Sequence, residues 1–295
     1  MKIKVLITGG NGMLGSSLCR LYEHMHDVYA FHRDGICYAP CLADFSLDLV
    51  NRGEMEKIFL RIKPDLVIHC AGLTDVDKCE KNPTLAYEAN VTVTKHIARI
   101  CGNDTKLVYI STDQVYGAAA DHSESNTDLQ PLNRYGKTKL QGEYTVREHS
   151  TAHIIIRTNI FGWNVKPGKT GSAEWMYRSL KKKQAITLFT DYVFSPLYTE
   201  YLGETIIQLA QMNFSGVVNA GSSAPCSKYE FGMQLSEVFG LDKSLITKGS
   251  VNEHVFEAAR PDDLTLPAQK LVNLGITVPG YRTSIERFYK NRPRD

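Results

Sequence analysis

Tyr135-Gly136-Lys137-Thr138-Lys139 places a phenol and an ammonium four positions apart. On a helix that spacing puts both groups on one face. A neighbouring ammonium stabilises phenolate and lowers the tyrosine pKa, which suits Tyr135 to give a proton to a carbonyl being reduced. Ser111-Thr112-Asp113 directly follows the apolar run 107–110. A hydroxyl at the C-terminal end of a strand can reach the same carbonyl oxygen, because ligands of open α/β sheets bind beyond those ends. Thr8-Gly9-Gly10-Asn11-Gly12-Met13-Leu14-Gly15 follows the first apolar run of the chain. Its Gly9-x-x-Gly12-x-x-Gly15 spacing permits a tight turn, close approach of a pyrophosphate, and close packing of the next helix on the sheet. That helix offers the free N–H groups of its first turn to the phosphates.

The end of the second strand selects the cofactor. Folds specific for NAD place an acid there, about 20 residues beyond the glycines, on the ribose 2′-hydroxyl. Here His32 takes that place and Arg33 follows. A guanidinium can bond a 2′-phosphate in bidentate fashion, so NADPH is the expected cofactor. NADH stays open, since Asp34 can take the ribose instead.

These groups need a scaffold that brings them together. Residues 4–7 and 28–31 read as strands, with a helix over 13–25 between them carrying Leu14, Leu18, Leu21 and Tyr22. A helix at 52–62 leads to a near-continuous apolar strand at 66–71. Asn82-Pro83 reads as an N-cap with proline at the first helical position, opening a helix over 84–101. Strands at 107–110 and 154–156 flank a long helix over 135–148. Apolar strands alternating with helices predict a doubly wound, parallel Rossmann α/β sheet covered on both faces. Beyond Phe161 the loops lengthen around Pro167, Gly168, Pro196, Pro225 and Pro261. Short strands at 186–189 and 217–219 mix there with helices at 199–212 and 228–238. The expected division is a cofactor domain over 1–161 and a smaller α/β substrate lobe over 162–295, with segments returning to the sheet.

Other features invite chemistry and do not support it. Residues 162–170 end in Gly168-Lys169-Thr170, yet five residues separate Gly162 from Gly168. A phosphate-binding P-loop needs four there, and Pro167 removes a cradle N–H. His69, inside an apolar run, reads as a satisfied core histidine, and His24, His26 and His122 read as surface residues. The sequons at Asn90, Asn103 and Asn213 are chance matches. Seven scattered cysteines suit reduced thiols, and Cys37-x-x-x-Cys41 lacks a second pair at metal-ligand spacing, so no metal is expected. With 43% hydrophobic and 22% charged residues in 295, disorder and a disulfide scaffold are excluded. A net charge of +2 gives no electrostatic reason for a nucleic-acid or membrane partner. No apolar run is long enough to span a bilayer, and the charged N-terminus is no signal peptide, so a cytoplasmic location is expected.

Together the motifs resemble the extended, nucleotide-sugar-modifying branch of the short-chain dehydrogenases/reductases, and the dTDP-4-dehydrorhamnose reductase family in particular. The likeness runs through residues 7–15, 63–68, 74–80, Ser111-Thr112-Asp113, 135–139, Arg157-Thr158 and Ala259-Arg260-Pro261-Asp262. It implies a catalytic trio of Thr112, Tyr135 and Lys139, with Lys139 also on the nicotinamide ribose. Gly9, Asn11, Gly12, Met13, Leu14, Gly15, His32 and Arg33 would bind the cofactor. Asp48-Leu49 would touch adenine, Ala71-Gly72 would line the cofactor channel, and Tyr135 would border it. Thr74, Val76, Asp113, Gln114 and Arg260 would face a sugar nucleotide. The implied reaction is NADPH-dependent reduction of the 4-keto group of a nucleotide-linked deoxysugar, in polysaccharide biosynthesis, by an enzyme compatible with a homodimer. The family usually has an aromatic residue at Gln114 and often a tryptophan at Ile160; Trp163 is nearby but out of register. The competing readings are an epimerase that retains NAD and a regulatory subunit like the β subunit of methionine adenosyltransferase. Gln114 cannot ionise, which excludes the second base of a sugar-nucleotide dehydratase.

Overall fold

Leu6 and Ile7 are neighbours in β1 (Lys4–Thr8), and neither is exposed. Alternation along a strand sends them to opposite faces, and each joins a different core. Both faces of the strand are therefore covered, as a parallel sheet requires. The computed structural model describes residues 2–33 and 35–293. Asp34, the alternative ribose partner, lies outside the described residues.

The main sheet runs β3 (Ala43–Ser46), β2 (Asp27–His32), β1, β4 (Leu66–His69), β5 (Lys106–Ile110), β6 (His153–Phe161) and β10 (Gly216–Ala220), with neighbouring strands parallel. This is a doubly wound parallel sheet, the architecture expected from the sequence. β9 (Pro196–Tyr198) extends it beside the end of β6. The chain leaves β1 toward β2 and β3, then returns past β1 to β4. The loops after β1 and β4 therefore diverge and open a crevice. On one face lie α1 (Met13–Tyr22), α8 (Thr199–Gln211) and α10 (Gln269–Asn273), which bury Leu14, Leu18, Leu202, Ile206 and Leu271. On the other lie α2 (Arg52–Ile62), α5 (Val93–Cys101) and α6 (Arg134–His149), which bury Met55, Phe59, Ile97 and Val146.

A third core holds the C-terminal part. α7 (Ser172–Lys181), α9 (Lys228–Phe239) and α11 (Tyr281–Lys290) enclose Phe161, Met176, Phe231, Leu235 and Phe288 beside the paired strands β7 (Ile186–Phe189) and β12 (Ile246–Gly249). Trp163 stacks on Phe288 with ring centroids 4.1 Å apart. A small sheet of β8 (Val193–Phe194), β11 (Cys226–Ser227) and β13 (Asp263–Leu264) completes this part.

Some elements differ from the sequence reading. The helix expected over 84–101 is interrupted: α4 (Pro83–Tyr87) passes into a π turn at Glu88–Thr92 before α5. α3 (Val76–Lys81) precedes it as a separate turn. β4 stops at His69 rather than Ala71, because Ala71 N turns aside to donate to Thr8 Oγ1 at 3.1 Å. β6 runs on to Phe161 because its end has β9 as a partner. His122 is buried rather than on the surface. Its ring stacks on Tyr116, with Nδ1 2.8 Å from the Thr265 carbonyl and Nε2 3.1 Å from that of Ala119. The segment beginning at β13 covers it.

Candidate active site

The glycine loop closes on the neighbouring strand. Gly9 sits at φ +71°, and a Cβ there would stand 2.9 Å from Ala71 N. A Cβ at Gly15 would fall on the Gly9 carbonyl oxygen. Gly12 caps α1 without a side chain, and the first turn of α1 holds no acid. That is the arrangement an anionic pyrophosphate needs. Leu14 is buried in the first core, Met13 is half-buried, and Gly12 is exposed at the crevice. Asn11 ties the loop to the segment after β2: its Nδ2 donates to Ile36 O at 2.7 Å, and its Oδ1 accepts from Tyr38 N at 2.9 Å. Asp48 is exposed and Leu49 half-buried beyond β3, on the same side of the sheet order. Arg33 is exposed. His32, expected beside it among the cofactor contacts, has no side-chain exposure, and its Nε2 lies 2.8 Å from Asp44 Oδ2. It is turned into the protein, while Arg33 beside it is exposed.

Beneath the crevice a chain of hydrogen bonds fixes β4. Ala71 N donates to Thr8 Oγ1, which donates to His69 Nδ1 at 2.7 Å. His69 Nε2 donates to Thr94 Oγ1 at 3.1 Å, and Thr94 donates to Asn90 O. Burial, then the charge of Lys139, hold the His69 pKa down to about 3, so the ring is neutral. It is the satisfied core histidine expected.

Asn133, which sequence reasoning missed, starts the helix that carries Tyr135 and Lys139. Its Oδ1 accepts from Gly136 N at 2.9 Å, and its Nδ2 donates to Gln114 Oε1 and Ala259 O at 2.7 and 2.8 Å. One side chain thus joins α6, the loop after β5 and the segment before Arg260. Asn90, buried in the π turn, donates to Thr138 Oγ1 and also bonds both the N–H and carbonyl of Leu73. Its burial excludes the sequon. An asparagine inside a helical run, a poor helix former there, was the available signal.

Tyr135 packs against Cys79, Ala86 and Val76, with Thr112 near enough to its hydroxyl to bear on its titration, while Thr112 Oγ1 itself donates to Asp113 Oδ1 at 2.9 Å. Lys139, one turn on, lies with Nζ 4.1 Å from the centre of the Tyr109 ring. Burial pushes the Lys139 pKa down to about 7, while the Glu143 carboxylate opposes that shift. Burial raises the Tyr135 phenol above its ordinary value; the nearby Thr112 lowers it and the Asp113 charge raises it further. The expected lowering of this phenol by Lys139 is therefore absent. Desolvation dominates, and it drives the ammonium itself toward its neutral form. Asp113 is lifted to about 6, again by burial, against hydrogen bonds from Asn159 and Thr112.

Two residues of the C-terminal part approach Asp113, and neither was read from the sequence. Lys228 is pushed down to about 8 by burial, with Asp113 opposing, and its Nζ is 3.5 Å from the centre of the Phe194 ring. The charges of Asp113 and Arg260 both reach Tyr192. A signal for Lys228 existed: Ser227 and Glu230 form a capping box that marks the start of α9. A cation in that first turn opposes the helix dipole. Arg260 itself donates from Nη2 to Asp77 Oδ2 at 2.9 Å and lines a cavity of about 490 Å³ with Gly117, Ala118, Leu132, His254 and Phe256. Thr74 and Gly72 are exposed, and Ala71 and Val76 half-buried, along the neighbouring rim. Thr112, Asp113, Gln114, Tyr135 and Lys139 thus come together beyond β5, with Val76 against Tyr135. This arrangement can donate a proton in a dry site beside a dinucleotide cradle.

Comparison with known proteins agrees. The family described as RmlD substrate binding domain matches residues 2–293. A probable low-salt glycan biosynthesis reductase of Haloferax volcanii is 30% identical over 86% of each chain. A dTDP-4-dehydrorhamnose reductase of Mycolicibacterium smegmatis is 28% identical over 94% of this chain and 82% of its own. The crystal structure of a dTDP-4-dehydrorhamnose reductase from Bacillus anthracis in complex with NADP superposes with a TM-score of 0.88, at 28% identity, covering 99% of this chain and 100% of that one. The chain belongs to the RmlD family of extended short-chain dehydrogenases/reductases.

Proposed function

We propose that this protein is an NADPH-dependent reductase of the 4-keto group of a nucleotide-linked deoxysugar, similar in activity to the dTDP-4-dehydrorhamnose reductases. The observation that carries the reading is a buried phenol kept protonated, beside Thr112 and one turn from Lys139, next to a glycine cradle that fits a dinucleotide. Residues 1–161 hold the cofactor and 162–295 contribute the sugar-nucleotide side. Gly9, Gly12 and the first turn of α1 take the pyrophosphate, Arg33 the 2′-phosphate, and Lys139 the nicotinamide ribose. When bound, the nicotinamide supplies a hydride to the keto carbon. Tyr135 gives its proton to the carbonyl oxygen, Thr112 turns its hydroxyl from Asp113 to hold that oxygen by a hydrogen bond, and the Lys139 ammonium positions the ribose beside them. Thr74, Val76, Asp113, Gln114 and Arg260 border the sugar nucleotide. A cytoplasmic location and a homodimer belong to the same proposal. Among the described residues no helix is long and apolar enough to cross a membrane.

The test is stoichiometric. The purified protein is expected to carry little bound NAD⁺ and to oxidise one NADPH for each keto sugar reduced, across a panel of dTDP-, GDP-, CDP- and UDP-linked substrates. Stoichiometric bound NAD⁺ together with sugar conversion that leaves NADPH untouched would establish an epimerase instead. The cofactor preference has its own test. Because Arg33 is exposed and His32 is turned inward, NADPH should bind more tightly than NADH, and Arg33→Ala should erase most of the difference. Calorimetry giving the wild type equal affinity for both would defeat the assignment of Arg33.

A further inference from the structure

We infer that His32, Cys37, Cys41 and Asp44 form a binding site for one zinc-class divalent cation at the edge of the main sheet. In the sequence, Cys37-x-x-x-Cys41 lacks a second ligand pair at the usual spacing. The fold brings that pair from two strands. β2 ends at His32 and the adjacent β3 carries Asp44, which places His32 Nε2 2.8 Å from Asp44 Oδ2. The donor atoms of His32, Cys37 and Asp44 all lie within 4.8 Å of one another. Cys41 Sγ stands outside that group of three, 3.9 Å from Cys37 Sγ, and joins the set by turning toward the ion. With zinc–sulfur bonds of about 2.3 Å, two thiolates on one tetrahedral ion sit about 3.8 Å apart. An imidazole, two thiolates and a carboxylate are the donors zinc takes, and they are too soft a set for magnesium or calcium.

The His32 side chain has no solvent exposure, and its Nε2 is held facing Asp44, the direction from which an ion would be taken. Access is also provided: Asp44 is 43% exposed and both cysteines are half-buried, so a hydrated ion can enter from solvent. The cysteines are placed before binding, because Asn11 holds the intervening segment through Ile36 O and Tyr38 N. On uptake each thiol releases its proton to solvent, and the imidazole binds through an unprotonated ring nitrogen. The dication then faces three negative ligands.

The competing fate of two thiols this close is a disulfide, and the experiment separates the two. The full chain is purified under reductant, reconstituted with Zn²⁺ alone, desalted and analysed for metal; a second sample is loaded with Co²⁺. About one zinc per chain is expected, with a thiolate-to-cobalt charge-transfer band. Cys37→Ser and Asp44→Asn should each lower zinc affinity by about tenfold or more. Three results overturn the site: wild type that retains no zinc, Cys37→Ser that binds as tightly as wild type, or a Cys37–Cys41 disulfide in the reconstituted protein. Should a variant fail to fold, the wild-type cobalt spectrum decides, since absence of the thiolate band refutes the proposal. None of these readouts depends on the reductase activity.

Discussion

Tyr135→Phe is expected to cut turnover on the true keto sugar by roughly 10²–10⁴-fold, the usual worth of a positioned acid. The ring that packs on Cys79 and Ala86 is kept, so the fold and cofactor affinity should hardly change. The pH profile adds a second reading. The phenol is raised, so Tyr135 remains a protonated donor at neutral pH, and Lys139, at about 7, titrates first. Its ammonium is present below that pH and is lost above it. The wild-type kcat/KM should therefore fall as pH rises through 7. That limb should persist in the residual activity of Tyr135→Phe, since it belongs to the lysine. Near-normal turnover in the variant would remove Tyr135 from the mechanism.

The largest loss of stability is expected from Glu143→Ala, at about 3–5 kcal/mol. Glu143 is wholly buried and accepts from Arg157 Nε and Nη2 at 3.0 and 2.7 Å and from Ser111 Oγ at 2.6 Å. The guanidinium lies 4.8 Å over the Tyr116 ring with almost no exposure. Removing the carboxylate strands that charge in the interior together with the Ser111 hydroxyl. Adding Arg157→Met should restore much of the loss, because the stranded charge goes with it. Denaturant midpoints of the wild type, the single and the double variant check this. A single variant as stable as the wild type would show that the pair contributes nothing. Glu143 also supports the charge on Lys139, so its loss should move the alkaline limb of the pH profile to lower pH.

Most of the sheet was legible because its inner strands are apolar throughout, and the candidate site because its chemistry is carried by short runs. The glycines, Thr112 and the Tyr135–Lys139 pair each sit within a few residues of a strand or helix end. What escaped had no local pattern. β3 is four residues, Ala-Asp-Phe-Ser, on the sheet edge, with no apolar run to reveal it. Asn133 acts across 126 residues to Ala259 and Lys228 acts toward Asp113 across the fold, so only tertiary packing defines their roles. The burial of His32 is likewise set by β3, an element the periodicity does not show. Desolvation of Tyr135 and Lys139 also depends on surroundings that spacing does not encode, and it reversed the expected sign of the tyrosine shift.

The late position of β10 has a consequence for synthesis. β6 is complete at Phe161, but residues 154–158 of its outer edge gain their partner only when Gly216–Ala220 arrives. At about 5–20 residues per second, ribosomes leave that edge unpaired for roughly 3–11 seconds. It presents Ile154, Ile155 and Ile156 with open backbone donors and acceptors, the features that nucleate association between nascent chains. Until β10 closes it, each polysome carries several such edges in proximity, and holdase chaperones have a defined interval in which to act.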